Sequence, residues 1–159
     1  MNASAAPSPS KLRAAEMTTI VATRDGIYAD SKCTVGELHY PADKVYRIGK
    51  NLIGVAGDNA GIEVFMRWWC GNRKKPLELG KGQSFTALVV SKHGIWIYGN
   101  CSLGDKLKRD WHVIGSGAGV AIGAMRMGAS PQEAIRIACE ETNFSGGPVE
   151  FWPLKEAKS

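Results

Sequence analysis

Two pairs of short apolar segments, each pair joined by a tight turn, constrain the fold of this chain more than any other feature of its sequence. "TTIVAT" and "IYADS" flank an Arg-Asp-Gly connection, and "KVYRI" and "LIGVAG" flank a Gly-Lys-Asn connection. Short glycine-containing connections between strand-forming runs are typical of β-hairpins. The N-terminal third of the chain therefore predicts antiparallel strand pairs.

A helix is predicted directly after the second hairpin. Asp58 or Asn59 can cap its first turn, and Gly71 is suited to end it. Apolar residues recur at helical spacing and would share one face: Ile62, Phe65, Met66 and Trp69. The pattern indicates an amphipathic helix that packs on a sheet.

The second half of the chain predicts further strands and two helices. "SGAGVAIGAMRMG" reads as a helix of small residues ending at Gly128. "SPQEAIRIACEET" has Ser130 at the N-cap, Pro131 at the first helical position and Glu133 in the capping-box place. The predicted strands of this half are "FTALVVS", "GIWIYG", "WHVIG" and "PVEFW".

Several of the predicted strands are almost continuously apolar, which indicates that both faces of their sheets are covered. Two antiparallel sheets stacked face to face, with helices outside, would satisfy this pattern. A single α+β sheet is the alternative that the pattern leaves open.

The composition fits one globular domain. The chain has 159 residues, 44% of them hydrophobic, and contains no run of eighteen apolar residues that would span a membrane. Residues 1–17 lack the apolar core of a secretory signal and are poor in large apolar side chains, so we expect a disordered leader there. We predict a cytoplasmic protein whose single domain covers residues 18–159.

The spacing of metal-binding residue types argues against a metal or cofactor. The four cysteines are widely separated and form no Cys-x-x-Cys pair, so free thiols are expected. The three histidines stand apart from them. A net charge of +5 permits nucleic-acid binding, but the basic residues are scattered, and we predict no nucleic-acid partner.

The Thr18-Thr19 pair at the start of the first strand raises a chemical alternative to strand propensity. A threonine at a chain terminus carries a hydroxyl nucleophile and an α-amine on one residue. Because the ordinary pKa of that amine is about 8, it can accept the hydroxyl proton near neutral pH. Such chemistry also needs a nearby cation and donors for an oxyanion.

Five segments in order resemble the signatures of proteasome β-type subunits, and especially of the bacterial HslV branch. They are "MTTIVA", "GIYADSKCT", "DKVYRIGKNLIGVAGDNA", "HVIGSGAG" and "SGGPVEFW". The resemblance implies an N-terminal-nucleophile hydrolase, with a four-layer αββα sandwich and threonine-dependent cleavage of polypeptides. It also implies a homo-oligomeric ring, and it allows an ATP-dependent unfoldase as a partner.

By position, the resemblance assigns five site residues. Thr18 would be the nucleophile and its amine the general base. Asp30 matches the acidic residue beside the lysine, and Lys44 matches the lysine that lowers the pKa of the amine. Gly57 matches the glycine whose N–H forms the oxyanion hole, and Ser116 matches the serine that supports the amine.

The chain departs from this pattern at three places. Thr142 stands where the family usually has an aspartate near the last helix. Met17 precedes Thr18 where self-cleaving precursors carry glycine, so we interpret Met17 as an initiator methionine that is removed. The segment between the first helix and "FTALVVS" is too short for the second long helix of proteasome subunits.

Each site residue also has an ordinary structural interpretation. Thr18 could be a strand residue, Asp30 a turn residue, Lys44 an exposed strand-edge charge and Gly57 a residue that relieves crowding. The Gly-Ser-Gly around Ser116 is common where a strand passes into a helix. The predicted activity is that of a threonine-type endopeptidase; a catalytically silent ring subunit and an amidase for small amides are the alternatives.

Overall fold

The computed structural model describes residues 18–35, 38–41, 43–100, 104–142 and 146–155. The predicted leader, residues 1–17, lies outside the described residues. The strands are β1 (Thr19–Thr23), β2 (Gly26–Asp30), β3 (Lys32–Val35), β4 (Leu38–Pro41), β5 (Val45–Ile48), β6 (Asn51–Gly57), β7 (Phe85–Ser91), β8 (Gly94–Tyr98), β9 (Asp105–Lys106), β10 (Trp111–Gly115) and β11 (Val149–Pro153). The helices are α1 (Asn59–Cys70), α2 (Ala118–Arg126) and α3 (Pro131–Glu141).

The strands form two main sheets in which every pairing is antiparallel. The first sheet has the order β10-β1-β2-β11, and the second has the order β5-β6-β7-β8-β9. The two hairpins predicted from the sequence are confirmed as β1–β2 and β5–β6. Gly49 has φ +60, the conformation that a type II′ turn needs at its first central position.

The two sheets stack face to face, with apolar side chains filling the space between them. This central layer joins Ile20 and Ile27 of the first sheet to Leu52, Leu88 and further residues of the second sheet. All four of these side chains are completely buried. Burial of such a side chain stabilises the fold by about 1.5–3 kcal/mol.

Helices cover the outer faces of both sheets. Phe65 and Trp69 of α1 pack on the second sheet, and Ala134 and Ile135 of α3 pack with α2 on the first. The order of layers is α1, second sheet, first sheet, then α2 with α3. The predicted four-layer αββα sandwich is therefore confirmed, and the single-sheet alternative is wrong.

The helix ends follow the capping chemistry of the sequence. Asp58 caps α1 by accepting a hydrogen bond from the Gly61 N–H at 2.8 Å, and Gly71 ends that helix. Ser130 and Glu133 form the predicted capping box at the start of α3. Each cap satisfies backbone N–H groups that the helix itself leaves without partners.

The helix α2 is shorter than the sequence predicts. It was expected to begin near Ser116 and end at Gly128, but it spans Ala118–Arg126. Its N-cap, Gly117, makes no side-chain capping bond, and the Ser116 hydroxyl instead contacts Thr18. A long-range contact of Ser116 has thus taken precedence over its local capping preference.

Some elements were not predicted. The β3–β4 hairpin and the two-residue strand β9 were missed, and residues 71–84 contain no helix, as their length suggested. Within the described residues, no helix is both long and apolar enough to cross a membrane.

Candidate active site

Thr18 lies directly before β1, where the loop after β10 closes over it. The residue is only 8% exposed, and its neighbour Thr19 pairs with Gly115. The Thr18 N–H donates to the Ser116 Oγ at 3.2 Å, and the Thr18 carbonyl oxygen accepts from the Gly117 N–H at 3.4 Å. The backbone of Thr18 is therefore held on both sides by residues about a hundred positions away in the sequence.

Gly115 is required by this close approach. Its φ is +99, in the region that favours glycine, and a Cβ there would lie 2.0 Å from the Thr18 carbonyl oxygen. No larger residue fits without moving the Thr18 peptide. The glycine in "GSG" is thus explained by contact with Thr18 as well as by backbone conformation.

Asp30 is a buried carboxylate at the end of β2, beside the start of β1. The hairpin pairs Ile20 with Ala29, so Asp30 lies next to Thr19. Its Oδ1 accepts from the Thr19 N–H at 2.7 Å, and its Oδ2 accepts from the Gly146 N–H at 3.0 Å. The residue is only 1% exposed, and burial of a carboxylate to this degree requires such donors.

Lys44 supplies the positive charge that balances Asp30. Its Nζ lies 2.8 Å from Asp30 Oδ2, and both side chains are almost fully buried. Lys44 directly precedes β5 of the second sheet, and its carbonyl oxygen accepts from the Val55 N–H at 2.9 Å. The ion pair therefore ties the two sheets together at the end of the sandwich where Thr18 lies.

Gly57 ends β6 at this same end, two residues beyond Val55. Its φ is +134, and a Cβ there would lie 2.6 Å from the Ser84 carbonyl oxygen. Asp58 fixes the segment: its Oδ2 accepts from both the N–H and the hydroxyl of Ser84, while its Oδ1 caps α1 through Gly61. We call Gly57, Asp58, Gly61 and Ser84 the Asp58 clasp.

The clasp favours the ionised form of Asp58. Burial acts to raise the pKa of the carboxyl, but hydrogen bonds from Gly61, from Ser84 and from the backbone of Ala60 outweigh burial and lower the pKa below its ordinary value. Asp58 is therefore charged at neutral pH. Its own backbone N–H donates to the Ser84 carbonyl oxygen at 3.2 Å, which holds the peptide that follows Gly57.

The helix α3 lies behind the site. Burial raises the pKa of the Cys139 thiol to about 11, with the negative charge of Asp30 as the next cause. The thiol therefore stays protonated at neutral pH and is a poor nucleophile. Thr142 ends α3, where its Oγ1 donates to the Ala138 carbonyl oxygen at 2.6 Å.

Four of the five predicted site residues lie in one connected network. Thr18 contacts Ser116, the following amide contacts Asp30, and Asp30 contacts Lys44. Gly57 is at the same end of the sandwich and is fixed by the Asp58 clasp. Their catalytic roles remain a prediction.

Sequence reasoning missed three parts of this site: the Gly146 N–H on Asp30, the fit of Gly115 against Thr18, and the Asp58 clasp. The glycine pairs of "GSG" and "SGG" were the available signal, since glycine permits such close backbone approaches. Within the described residues no group of three or more His, Cys, Asp or Glu side chains could hold a metal ion. Cys70 and Cys139 are free thiols, as predicted, whereas the side chains of Cys33 and Cys101 lie outside the description.

Comparison with known proteins establishes the fold. No protein-family model matches the chain, and no curated protein matches it by sequence. Among solved structures, HslV from Trypanosoma brucei is 21% identical with a TM-score of 0.63, over 86% of this chain and 98% of that one. BPH from Thiobacillus denitrificans, in complex with epoxomicin, is 19% identical with a TM-score of 0.61, over 87% of this chain and 99% of that one.

A second structure of Thiobacillus denitrificans BPH gives the same picture. It is 17% identical with a TM-score of 0.63, over 86% of this chain and 96% of that one. The chain is therefore similar in fold to HslV and BPH over nearly its whole described length. The predicted HslV-like fold is therefore confirmed.

Proposed function

We propose that this protein is a threonine-type endopeptidase of the proteasome type, in which Thr18 becomes the first residue after removal of residues 1–17. The observation that carries the proposal is the position of Thr18 at the start of β1. Its nitrogen there contacts Ser116, and the amide of the next residue contacts the buried Asp30–Lys44 pair. The same fold in HslV and BPH supports the proposal.

In the proposed first step, the α-amine of Thr18 accepts the proton of its own hydroxyl. The Oγ then attacks the carbonyl carbon of the substrate peptide bond, and the Gly57 N–H donates to the developing oxyanion. The amine passes its proton to the leaving nitrogen, so the C–N bond breaks and an acyl-enzyme ester remains. Water then attacks the ester with the amine again as base, which releases the acid and restores Thr18.

The charges around Thr18 suit these roles. A nearby buried cation lowers the pKa of an amine because it disfavours a second positive charge. Lys44 is such a cation, and Asp30 holds it in place through a 2.8 Å ion pair. Ser116 supplies a hydroxyl that can accept a hydrogen bond from the amine.

The proposal includes a homo-oligomeric ring with polypeptide substrates, an ATP-dependent unfoldase as partner and a cytoplasmic location. A ring encloses its sites and so excludes folded proteins, which makes an unfolding partner useful. An open monomer active on small amides would instead support the amidase alternative.

Intact-mass spectrometry of the purified protein tests the proposal. We expect a mature chain that begins at Thr18 and gains one equivalent of epoxomicin, the compound bound to BPH in its complex. The matched control is Thr18→Ala, which should keep the fold and gain no adduct. A chain that retains residues 1–17 and never reacts would support a catalytically silent ring subunit instead.

A further inference from the structure

A basic cavity lies at the end of the sandwich opposite to Thr18. The strand β1 starts beside Thr18 and ends at Thr23, which lines this cavity. The cavity has a volume of about 1180 Å³ and lies where hairpin turns of the two sheets meet the segment after β11. It is therefore separate from the candidate active site.

Each of the three hairpin turns brings a cation to this cavity: Arg24 from β1–β2, Lys50 from β5–β6 and Lys92 from β7–β8. Arg47 and Lys155 add two more. We call these five residues, with the cavity they line, the basic groove.

Among the described residues, carboxylates balance only part of this charge. Two aspartates line the groove, and one of them, Asp110, is already paired with Arg24 at 3.1 Å. Within the described part of the chain, Lys50, Lys92 and Lys155 form no salt bridge. Like charges brought together in this way repel each other and reduce the stability of the free protein.

The walls of the groove are fixed by backbone contacts. The Leu154 N–H donates to the Asp25 carbonyl oxygen at 2.8 Å, and the Arg47 guanidinium donates to the carbonyl oxygens of Leu154 and Pro153. The segment after β11 is thus attached to both the first hairpin turn and β5. These contacts hold in place the backbone segments that carry the cations of the groove.

The lining favours phosphate over other anionic ligands. Lysine ammonium groups bind phosphate as point charges, and the hydroxyls of Thr23 and Ser91 can donate further hydrogen bonds. Among the described residues, no Phe, Tyr or Trp lines the groove, so bases of a nucleic acid have no such ring to stack on. Leu154 is the one large apolar residue in the described part of the lining, which leaves an acidic peptide few apolar anchors.

The volume favours a ligand with several phosphates. Sites for small molecules usually measure roughly 300–1,000 Å³, and the basic groove exceeds this range. We propose that the basic groove binds an inorganic oligophosphate, which is a linear chain of phosphates. The negative charges of the phosphates would neutralise the groove cations that no carboxylate balances. The inference is independent of the proposed peptidase activity.

Isothermal titration of the full-length protein with tripolyphosphate at low ionic strength tests the inference. We expect one tripolyphosphate per chain. The triple variant Lys50→Gln/Lys92→Gln/Lys155→Gln should bind about 30-fold more weakly, because each exposed lysine–anion contact contributes roughly threefold. The triple variant Lys74→Gln/Lys75→Gln/Lys81→Gln removes the same charge from an exposed loop and should change affinity by less than about twofold.

If both triple variants lost the same affinity for tripolyphosphate, binding would depend on the net charge of the protein and not on the basic groove. That result would overturn the proposal. Hexaglutamate and a thymidine oligonucleotide are the competing ligands. If either binds more tightly than tripolyphosphate, and loses affinity in the groove variant, the groove prefers that ligand class and the proposal is overturned. Differential lysine acetylation of the unmodified sequence adds a test that needs no variant. Tripolyphosphate should protect Lys50, Lys92 and Lys155 but not Lys74, and uniform labelling would contradict the site.

Discussion

At the residue scale, the buried pair of Asp30 and Lys44 joins the two sheets beside the start of β1. Asp30 accepts hydrogen bonds from the backbone on both sides of the site, and Lys44 provides its counter-charge. The attraction between the two buried charges, together with these hydrogen bonds, offsets the cost of removing both charges from water. In the proposed mechanism, Lys44 of this pair is the cation that lowers the pKa of the Thr18 amine.

A double-mutant cycle tests the coupling between Asp30 and Lys44. Asp30→Asn and Lys44→Met should each lower the free energy of unfolding by about 3–5 kcal/mol, because each leaves a buried group without its partner. The double variant should lose less than the sum of the two. Urea unfolding at pH 7 gives these values.

The exposed pair Arg136–Glu140 serves as the control for that cycle. Both side chains are 58% exposed, so breaking this pair should change the free energy of unfolding by no more than about 0.5 kcal/mol. If loss of Asp30 or Lys44 had an equally small effect, the pair would not be the buried support described above.

Gly115 offers a second test at this scale. Gly115→Ala should displace the Thr18 peptide and abolish peptidase activity, because the new Cβ would lie 2.0 Å from the Thr18 carbonyl oxygen. Gly119→Ala is the matched control, since nothing lies within 4 Å of its Cβ position in α2. That change should stabilise the helix by about 1 kcal/mol and leave activity intact.

At the element scale, the Asp58 clasp joins the end of β6, the start of α1 and the residue before β7. It predicts a specific pH dependence. Since hydrogen bonds lower the pKa of Asp58 in the folded state, its contribution to stability is complete above its unfolded pKa of about 3.9 and is lost as pH falls through the folded pKa.

Urea unfolding of the unmodified protein and of Asp58→Asn between pH 2 and 7 measures this contribution. Asparagine still caps a helix, so the comparison isolates the charge. The unmodified protein should be more stable at pH 7, and the difference should shrink below about pH 4. Ser84→Ala removes one donor to Asp58, so its free energy of unfolding at pH 7 should lie between those of the unmodified protein and Asp58→Asn. A stability difference between the unmodified protein and Asp58→Asn that does not vary with pH would contradict this role of the Asp58 charge.

Local sequence rules predicted the elements better than their boundaries. Ser130, Pro131 and Glu133 defined the start of α3 correctly, because capping depends only on neighbouring residues. The start of α2 was misplaced, because Ser116 binds Thr18 rather than capping the helix. The strand β9 was missed because its two residues are exposed and carry no apolar pattern.

The connections of the site could not be derived from local sequence patterns. Ser116 contacts Thr18 across 98 positions, and Gly146 contacts Asp30 across 116. Spacing rules do not reach across such distances. Only the resemblance to the proteasome β and HslV sequences placed Ser116 with Thr18 beforehand, and the contact of Gly146 with Asp30 was missed. The resemblance also did not indicate the Asp58 clasp.

At the scale of the whole molecule, the sandwich has two chemically different ends. One end holds Thr18 with the buried ion pair, and the other holds the basic groove. The strand β1 runs between them, and its residues from Thr19 to Ala22 are completely buried. The fold thus keeps the candidate catalytic end and the basic end on opposite sides of one buried core.

The proposed peptidase activity depends on a free amine at Thr18. The most direct measurement is cleavage of an unstructured polypeptide by two forms of the protein, one beginning at Thr18 and one retaining residues 1–17 with processing prevented. We expect cleavage by the first form alone, and loss of that cleavage in Lys44→Met. Equal activity of the two forms, or no activity in the form that begins at Thr18, would contradict it.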